Sequence, residues 1–315
     1  MKIVILDSAT LGDDLDLSVL SKYGEVSAYP KTSAEEVAER LSDADVVIIN
    51  KVKLNESTLG ENSTLKLICI AATGYDNVDL EYMRKKSIGV CNVVGYSTDS
   101  VAQLTVSMVL SLATHLPDYT ECTRSGEYTK GGVANRLIPV YHEIAGKTWG
   151  IIGLGNIGKK VAAVAEALGC KVIANKRTPV PDHTCVDIDT LCREADIITI
   201  HTPLNDGTRN LINKERIASM KKDVIVVNVA RGAVCDEAAL CDAVREGRLG
   251  GLGVDVYTVE PFGEDSPYFA VKELSNVCLT PHMAWGSYEA RNRCLADIMK
   301  SIDAFLCGEK RSRLV

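Results

Sequence analysis

An arginine, a glutamate and a histidine each follow a short apolar run late in this 315-residue chain. They are Arg231 in Asn228-Val229-Ala230-Arg231-Gly232, Glu260 in Asp255-Val256-Tyr257-Thr258-Val259-Glu260-Pro261, and His282 in Thr280-Pro281-His282-Met283-Ala284-Trp285. A cation, a carboxylate and an imidazole are what the reduction of a carbonyl demands. Hydride arriving at carbon leaves negative charge on oxygen, so a cation must stabilise it and an acid must protonate it. Arg231 suits the first task and His282 the second, while Glu260 would hydrogen-bond the other imidazole nitrogen and fix the ring. Taken singly, each has a plainer reading as a surface arginine, a turn glutamate or a loop histidine. As an ordered trio they point to reduction of a 2-keto acid.

Upstream, Gly153-Leu154-Gly155-Asn156-Ile157-Gly158 follows the apolar Trp149-Gly150-Ile151-Ile152 and opens a helical pattern over Lys159 to Leu168. The first glycine permits a sharp turn, the second lets backbone approach a pyrophosphate, and the third lets helix pack on strand. A bare match to this pattern is weak, but here strand and helix flank it, which makes it a dinucleotide site. In such units the second strand usually ends in an acid that binds the ribose of NAD, about twenty residues on. Here the run Val172-Ile173-Ala174-Asn175 ends instead in Lys176-Arg177-Thr178. Two cations and a hydroxyl suit a 2′-phosphate, so NADP(H) is favoured, with NAD(H) the alternative if these side chains are only a solvated strand end.

Positioning such groups takes parallel sheets. Apolar runs at Ile3 to Leu6, Val46 to Ile49, Leu67 to Ile70 and Val90 to Val94 alternate with helical stretches such as Ala34 to Leu41. Runs apolar on both faces imply parallel strands covered by helices on each side. A long helix is expected from Thr98-Asp99-Ser100, where three side-chain oxygens offer an N-cap, to about His115 before Pro117. Beyond the glycine turn, further strands are expected at Val172 to Ala174, Ile197 to Ile200, Val224 to Val229, Leu252 to Val256 and Val277 to Leu279. With the strand before the turn they make a doubly wound sheet. A helical tail, Tyr288 to Leu306, is too short to be a domain and is expected to fold back onto one lobe.

A chain of this length suggests two domains. The net charge of -7 and pI near 5.4 offer no general attraction to nucleic acid or anionic lipid. Eleven scattered cysteines lack any C-x-x-C pair or zinc-ligand rhythm, so no metal site is expected and a reducing cytoplasm is the expected setting. No run reaches the length of a membrane span, and the opening apolar run is too short for a signal peptide.

In Ala71-Ala72-Thr73-Gly74-Tyr75-Asp76-Asn77-Val78-Asp79, Gly95-Tyr96-Ser97-Thr98-Asp99-Ser100-Val101-Ala102-Gln103, the glycine turn, Ala-Arg-Gly, Glu-Pro and Pro-His-Met-Ala-Trp, the chain resembles the D-isomer-specific 2-hydroxyacid dehydrogenases. Within them it looks most like the glycerate dehydrogenase, or hydroxypyruvate reductase, branch. The resemblance implies an α/β protein of two doubly wound parallel-sheet domains. A Rossmann nucleotide-binding domain over 98–284 is inserted in a flavodoxin-like substrate-binding domain, which comprises 1–97 with a C-terminal return over 285–315, and substrate closes between them. It implies an NAD(P)-dependent oxidoreductase with Arg231, Glu260 and His282 as the catalytic triad. The Thr73 and Gly74 amides would bind the substrate carboxylate, with Lys51 and Tyr96 nearby. Arg231 and His282 would also touch substrate, and for Lys51 a solvated strand end is an equal reading. Gly153, Gly155, Asn156, Ile157 and Gly158 would hold the pyrophosphate, Thr202 and Pro203 would line the groove, and Val229 and Asp255 would flank the nicotinamide. Asp255 could equally be a strand-end acid bonding local backbone. A homodimer through the nucleotide domain is implied, with its contact in the segment 101–144. The expected substrate is a small 2-keto acid, hydroxypyruvate or glyoxylate, giving the D-hydroxy acid. Alternatives are a D-lactate or phosphoglycerate-type dehydrogenase, or a nucleotide-sensing, corepressor-like binding protein.

Overall fold

A computed structural model describes residues 1–60, 64–178 and 180–315. The chain divides into two compact units, Met1–Ser97 with Gly286–Val315, and Thr98–Trp285. Trp285, expected in the C-terminal return, belongs to the second unit.

The first unit is a five-stranded parallel sheet of β1 (Lys2–Ile5), β2 (Glu25–Ala28), β3 (Val46–Ile49), β4 (Leu67–Ile70) and β5 (Gly89–Cys91), in the order β2-β1-β3-β4-β5. That order is the flavodoxin-like one. Strands β3 and β4 are buried at every residue, because helices cover both faces of a parallel sheet. β2 has no buried residue, which is why no apolar run announces it. The helix expected over Ala34 to Leu41 is only Val37–Arg40. The tail helix, Tyr288–Leu306, lies on this unit, where Arg293 Nε donates to the Tyr96 carbonyl at 2.9 Å. Past it the chain pairs antiparallel with the outer side of β5, at Cys91 and Arg313, and so covers a sheet edge that would otherwise offer unpaired amides.

The second unit carries β6 (Thr148–Ile152), β7 (Lys171–Asn175), β8 (Thr184–Cys185), β9 (Ile197–Ile200), β10 (Val224–Asn228), β11 (Leu249–Val254) and β12 (Val277–Leu279). They form one sheet in the order β12-β11-β10-β9-β6-β7-β8, with every pairing parallel. Counted within the unit this is the Rossmann order 3-2-1-4-5-6 with one more strand. The sheet has seven strands rather than the six expected, since β8 spans two residues and has no periodicity to read. The long helix runs Thr98–Ala113, beginning at Thr98 itself, and stops short of His115, whose left-handed φ of 50° breaks it before Leu116–Arg124 begins. One core layer packs Trp149, Val161, Val109 and Val227 together, and Trp149 Nε1 satisfies its N–H on Thr199 Oγ1 at 3.1 Å. Among the described residues no helix is long and apolar enough to cross a membrane, and no cluster of His, Cys, Asp and Glu could hold a metal ion.

Candidate active site

Strand order reverses at β6, which pairs with β7 on one side and β9 on the other. The crevice at the carboxyl end of such a strand is where a doubly wound sheet takes its ligand. Gly153 turns the chain there with φ 95°, its amide donating to the Asn175 carbonyl at 2.9 Å. A Cβ at Gly153 would lie 2.7 Å from the backbone of His201 and Thr202, and one at Gly158 would lie 2.3 Å from the Gly153 carbonyl oxygen. Both positions therefore need glycine for close packing. At Gly155 a Cβ would meet nothing within 4 Å, so that position faces open space. Gly155 is also the N-cap of the helix Asn156–Ala167 and supplies no side-chain cap. Exposed Asn156 and half-buried Ile157 thus present first-turn amides beside an open cradle, a fit for the pyrophosphate of a dinucleotide.

Lys176, Arg177 and Thr178 follow directly on β7, with Lys176 half-buried and the other two exposed. Thr202 and Pro203 follow β9. Ahead of them the His201 amide donates to the Ile152 carbonyl at 2.7 Å, closing the floor of the crevice. The His201 ring nitrogens are buried, and among the described residues neither has a hydrogen-bond partner. Burial lowers that imidazole to about 3, so it is neutral at any working pH.

Arg231, Glu260 and His282 follow the carboxyl ends of β10, β11 and β12, three neighbours in the sheet. Fully buried Asn228 shapes the first turn, accepting the Ala230 amide at 3.0 Å and donating to the Arg231 carbonyl at 2.9 Å. Val229 lies buried between them. Glu260 Oε1 accepts the Tyr257 amide at 3.0 Å, and Oε2 lies 2.6 Å from His282 Nδ1. The carboxylate thus spans a backbone amide and the ring. His282 and Glu260 keep 23% and 29% of their side-chain surface exposed, enough for a small molecule to reach them.

His282 itself takes φ 52°, a conformation that a non-glycine residue adopts only when its surroundings impose it. Asp255 imposes it. Its buried carboxylate accepts the Met283 and Ala284 amides at 2.8 and 2.9 Å and the Thr280 hydroxyl at 2.6 Å. Trp285 Nε1 donates to the His282 carbonyl at 2.9 Å, and the Tyr257 hydroxyl donates to the Thr280 carbonyl at 2.9 Å. Burial raises the Asp255 carboxyl, against the bonds from Thr280, Ala284 and Met283 and the charge of His282. Asn228 and Tyr257 escape a sequence reading because their partners are backbone atoms, which no spacing reveals, and Asp255, readable as a strand-end acid bonding local backbone, instead bonds amides 28 and 29 residues further along the chain.

In the first unit, Lys51 has an exposed side chain after β3, and its amide donates to Asp7 Oδ2 at 2.6 Å. Buried Asp7, at the end of β1, also accepts the Asn50 and Val52 amides and so shapes that loop. Its position directly after the apolar Ile3-Val4-Ile5-Leu6 is the one available signal. Thr73 and Gly74 follow β4, with the Thr73 hydroxyl bonded to the Val93 carbonyl at 2.8 Å. The Tyr96 side chain is buried.

Residues 106–284 match the family profile described as D-isomer specific 2-hydroxyacid dehydrogenase, NAD binding domain. The chain is 36% identical over 312 residues to a glycerate dehydrogenase of Methylorubrum extorquens, covering 99% of this chain and 98% of that one. To a hydroxypyruvate reductase of Blautia hydrogenotrophica it is 34% identical, covering 98% of both. Among solved structures it is similar to a D-lactate dehydrogenase of Aquifex aeolicus complexed with NAD and lactic acid, with TM-score 0.86, 28% identity and coverage of 98% of this chain and 96% of that one. An acyclic imino acid reductase in complex with NADPH and D-Arg has TM-score 0.86 at 29% identity, with full coverage of both chains. The chain belongs to the D-isomer-specific 2-hydroxyacid dehydrogenase family, and is an oxidoreductase that moves hydride between a nicotinamide cofactor and a 2-keto acid.

Proposed function

We propose that this enzyme reduces hydroxypyruvate or glyoxylate to D-glycerate or glycolate, using His282 as the acid, Glu260 as its partner and Arg231 as the cation. The observation that carries the assignment is the 2.6 Å contact between His282 Nδ1 and Glu260 Oε2, which joins the imidazole to a carboxylate that fixes the ring, and Nε2 is the nitrogen assigned to the proton. The nicotinamide, when bound, supplies the hydride. Arg231 orients the substrate carboxylate and draws electron density onto the carbonyl oxygen, and His282 delivers the proton from Nε2. Glu260 keeps the ring turned and stabilises the charge that it carries before transfer. In the oxidative direction His282 takes the proton back.

Lys51, Thr73, Gly74 and Tyr96 are assigned to substrate, the amides of Thr73 and Gly74 to its carboxylate. Gly153, Gly155, Asn156, Ile157 and Gly158 are assigned to the pyrophosphate, Thr202 and Pro203 to the groove wall, and Val229 and Asp255 to the nicotinamide end. Lys176 and Arg177, with Thr178, favour NADP(H), since they follow β7 where a ribose-binding acid would otherwise stand. Hydroxypyruvate and glyoxylate are supported by the names of the relatives, which include hydroxypyruvate reductases and glyoxylate reductases.

A homodimer through the nucleotide domain is supported by exposed apolar side chains in its 101–144 segment: Val133, Leu137, Ile138, Val140 and Tyr141 all keep more than half of their surface open. A reducing cytoplasm suits the free cysteines, most of them buried. Absorbance at the reduced nicotinamide band, with a panel of 2-keto acids against NADPH and NADH, tests the whole reading. Fastest turnover with pyruvate or with a phosphorylated hydroxypyruvate would overturn the substrate, and tight nucleotide binding without any turnover would favour a sensor.

A further inference from the structure

Glu237 opens the helix Glu237–Arg245 and stands where the turn after Arg231 approaches the turn that leads to Glu260. Its Oε1 accepts the Thr258 amide at 2.8 Å. The preceding amide, Tyr257, is held by Glu260 Oε1 at 3.0 Å. Consecutive amides of one turn are thus gripped by two different carboxylates, of which one reaches on to the imidazole. On the other side lies Gly232, next in sequence to Arg231. A Cβ there would stand 2.7 Å from Glu237 Oε1, 2.2 Å from the Tyr257 carbonyl carbon and 2.3 Å from the Thr258 nitrogen. The arginine turn therefore presses directly on both the glutamate turn and the carboxylate that pins it.

We propose that Glu237 is a positioning residue of the reaction, whose side-chain oxygen, reaching the Thr258 amide against Gly232, sets the spacing between the Arg231 guanidinium and the Glu260–His282 pair. The proposal rests on the triad roles given above. It concerns reach and acceptor character rather than charge. Burial, with the nearby Glu260 adding to it and the Thr258 bond opposing it, raises the Glu237 carboxyl, and an acceptor oxygen survives protonation. Bringing a guanidinium and an imidazole to one carbonyl is an orientation problem, and misplacement by ~1 Å can cost about a hundredfold in rate.

Two conservative substitutions separate the possibilities. Glu237→Gln keeps the length and the acceptor oxygen but removes the charge. Glu237→Asp keeps the charge but withdraws the carboxylate by one carbon–carbon bond, ~1.5 Å. Steady-state kinetics with hydroxypyruvate and reduced cofactor should give Glu237→Gln a kcat within about threefold of the parent, and Glu237→Asp a kcat lower by about tenfold or more. Reduced-cofactor affinity, read by fluorescence titration of the same preparations, should be unchanged in both. Gly232→Ala should imitate Glu237→Asp, since its methyl drives the same two turns apart. Equal kcat in the Gln and Asp variants, at whatever level, overturns the proposal, as does a loss confined to cofactor affinity. His282→Ala, run alongside, keeps the two questions apart. Loss of turnover there with full activity in Glu237→Asp removes Glu237 and leaves the triad roles standing, whereas retained turnover in His282→Ala removes the triad roles themselves.

Discussion

Nδ1 of His282 and Oε2 of Glu260 meet at 2.6 Å although 22 residues separate them in the chain. Adjacent parallel strands β11 and β12 deliver them, and both carboxylate oxygens are committed, one to the ring and one to the Tyr257 amide. The ring is therefore held by a group that is itself held. His282→Ala should lower turnover by about 10²- to 10⁴-fold while reduced cofactor still binds. Glu260→Gln should cost less, because an amide oxygen can still accept from Nδ1. Stopped-flow kinetics and a fluorescence titration on each variant check both statements, and activity near the parent level in His282→Ala would remove the proposed proton donor.

Cofactor choice should lie in the residues after β7. Lys176→Asp places an acid where the ribose partner of an NAD-dependent unit stands and removes a cation from the place of a 2′-phosphate. A charge-assisted hydrogen bond is worth ~1.5–3 kcal/mol, so kcat/KM with NADPH should fall by about ten- to a hundredfold while kcat/KM with NADH holds or rises. An unaltered ratio in the variant refutes the NADP(H) assignment.

Gly158→Ala should damage the dinucleotide cradle. The added methyl would lie 2.3 Å from the Gly153 carbonyl oxygen, a backbone atom that can withdraw only if the turn itself moves. The expected result is a weaker cofactor affinity and a lower melting temperature together. Gly155→Ala, which adds a methyl in open space within the protein, should spare stability and weaken only cofactor binding. Calorimetry with and without cofactor separates the two, and equal melting losses in both variants would contradict this account.

His201 should make the fold acid-sensitive over a defined window. Burial lowers its imidazole from the ordinary 6.5 to about 3, so below pH 6.5 the unfolded chain takes up a proton that the folded chain refuses. Stability from this residue is complete above pH 6.5 and declines as pH falls toward 3, by ~1.4 kcal/mol per pH unit. Between pH 7 and pH 5 the parent should lose ~2 kcal/mol more than His201→Gln does in urea unfolding. Parallel pH dependence in the two proteins would exclude a buried neutral imidazole.

Association should depend on the apolar surface of the 101–144 segment. Leu137 and Ile138 are each 71% exposed in the single chain. In the proposed homodimer, Leu137→Asp should shift sedimentation from dimer to monomer, and an unshifted boundary would remove this segment as the contact.

Much of this molecule is legible in its residues because burial on both faces of a parallel sheet leaves runs of aliphatic side chains. Val46–Ile49, Leu67–Ile70, Ile197–Ile200 and Val277–Leu279 are strands within the same limits that their apolar runs mark, and the tail helix Tyr288–Leu306 likewise. Two strands leave no such trace: β2 has no buried residue, and β8 is two residues long. The glycine turn is readable for another reason, since its demands are local, a positive φ at Gly153 and a close approach at Gly158.

Residue types and their order along the chain suffice to nominate an arginine, a glutamate and a histidine, and to place each after a strand. Sequence alone determined that inventory, because side-chain chemistry and hydrophobic periodicity are properties of short segments. Only the tertiary structure decided that Glu260 contacts His282, that Asn228 and Asp255 shape the turns bearing Arg231 and His282, and that Glu237 and Gly232 meet where the turn bearing Arg231 approaches the turn leading to Glu260. Those relations depend on which strands become neighbours and on backbone amides as partners, and every residue carries the same amide.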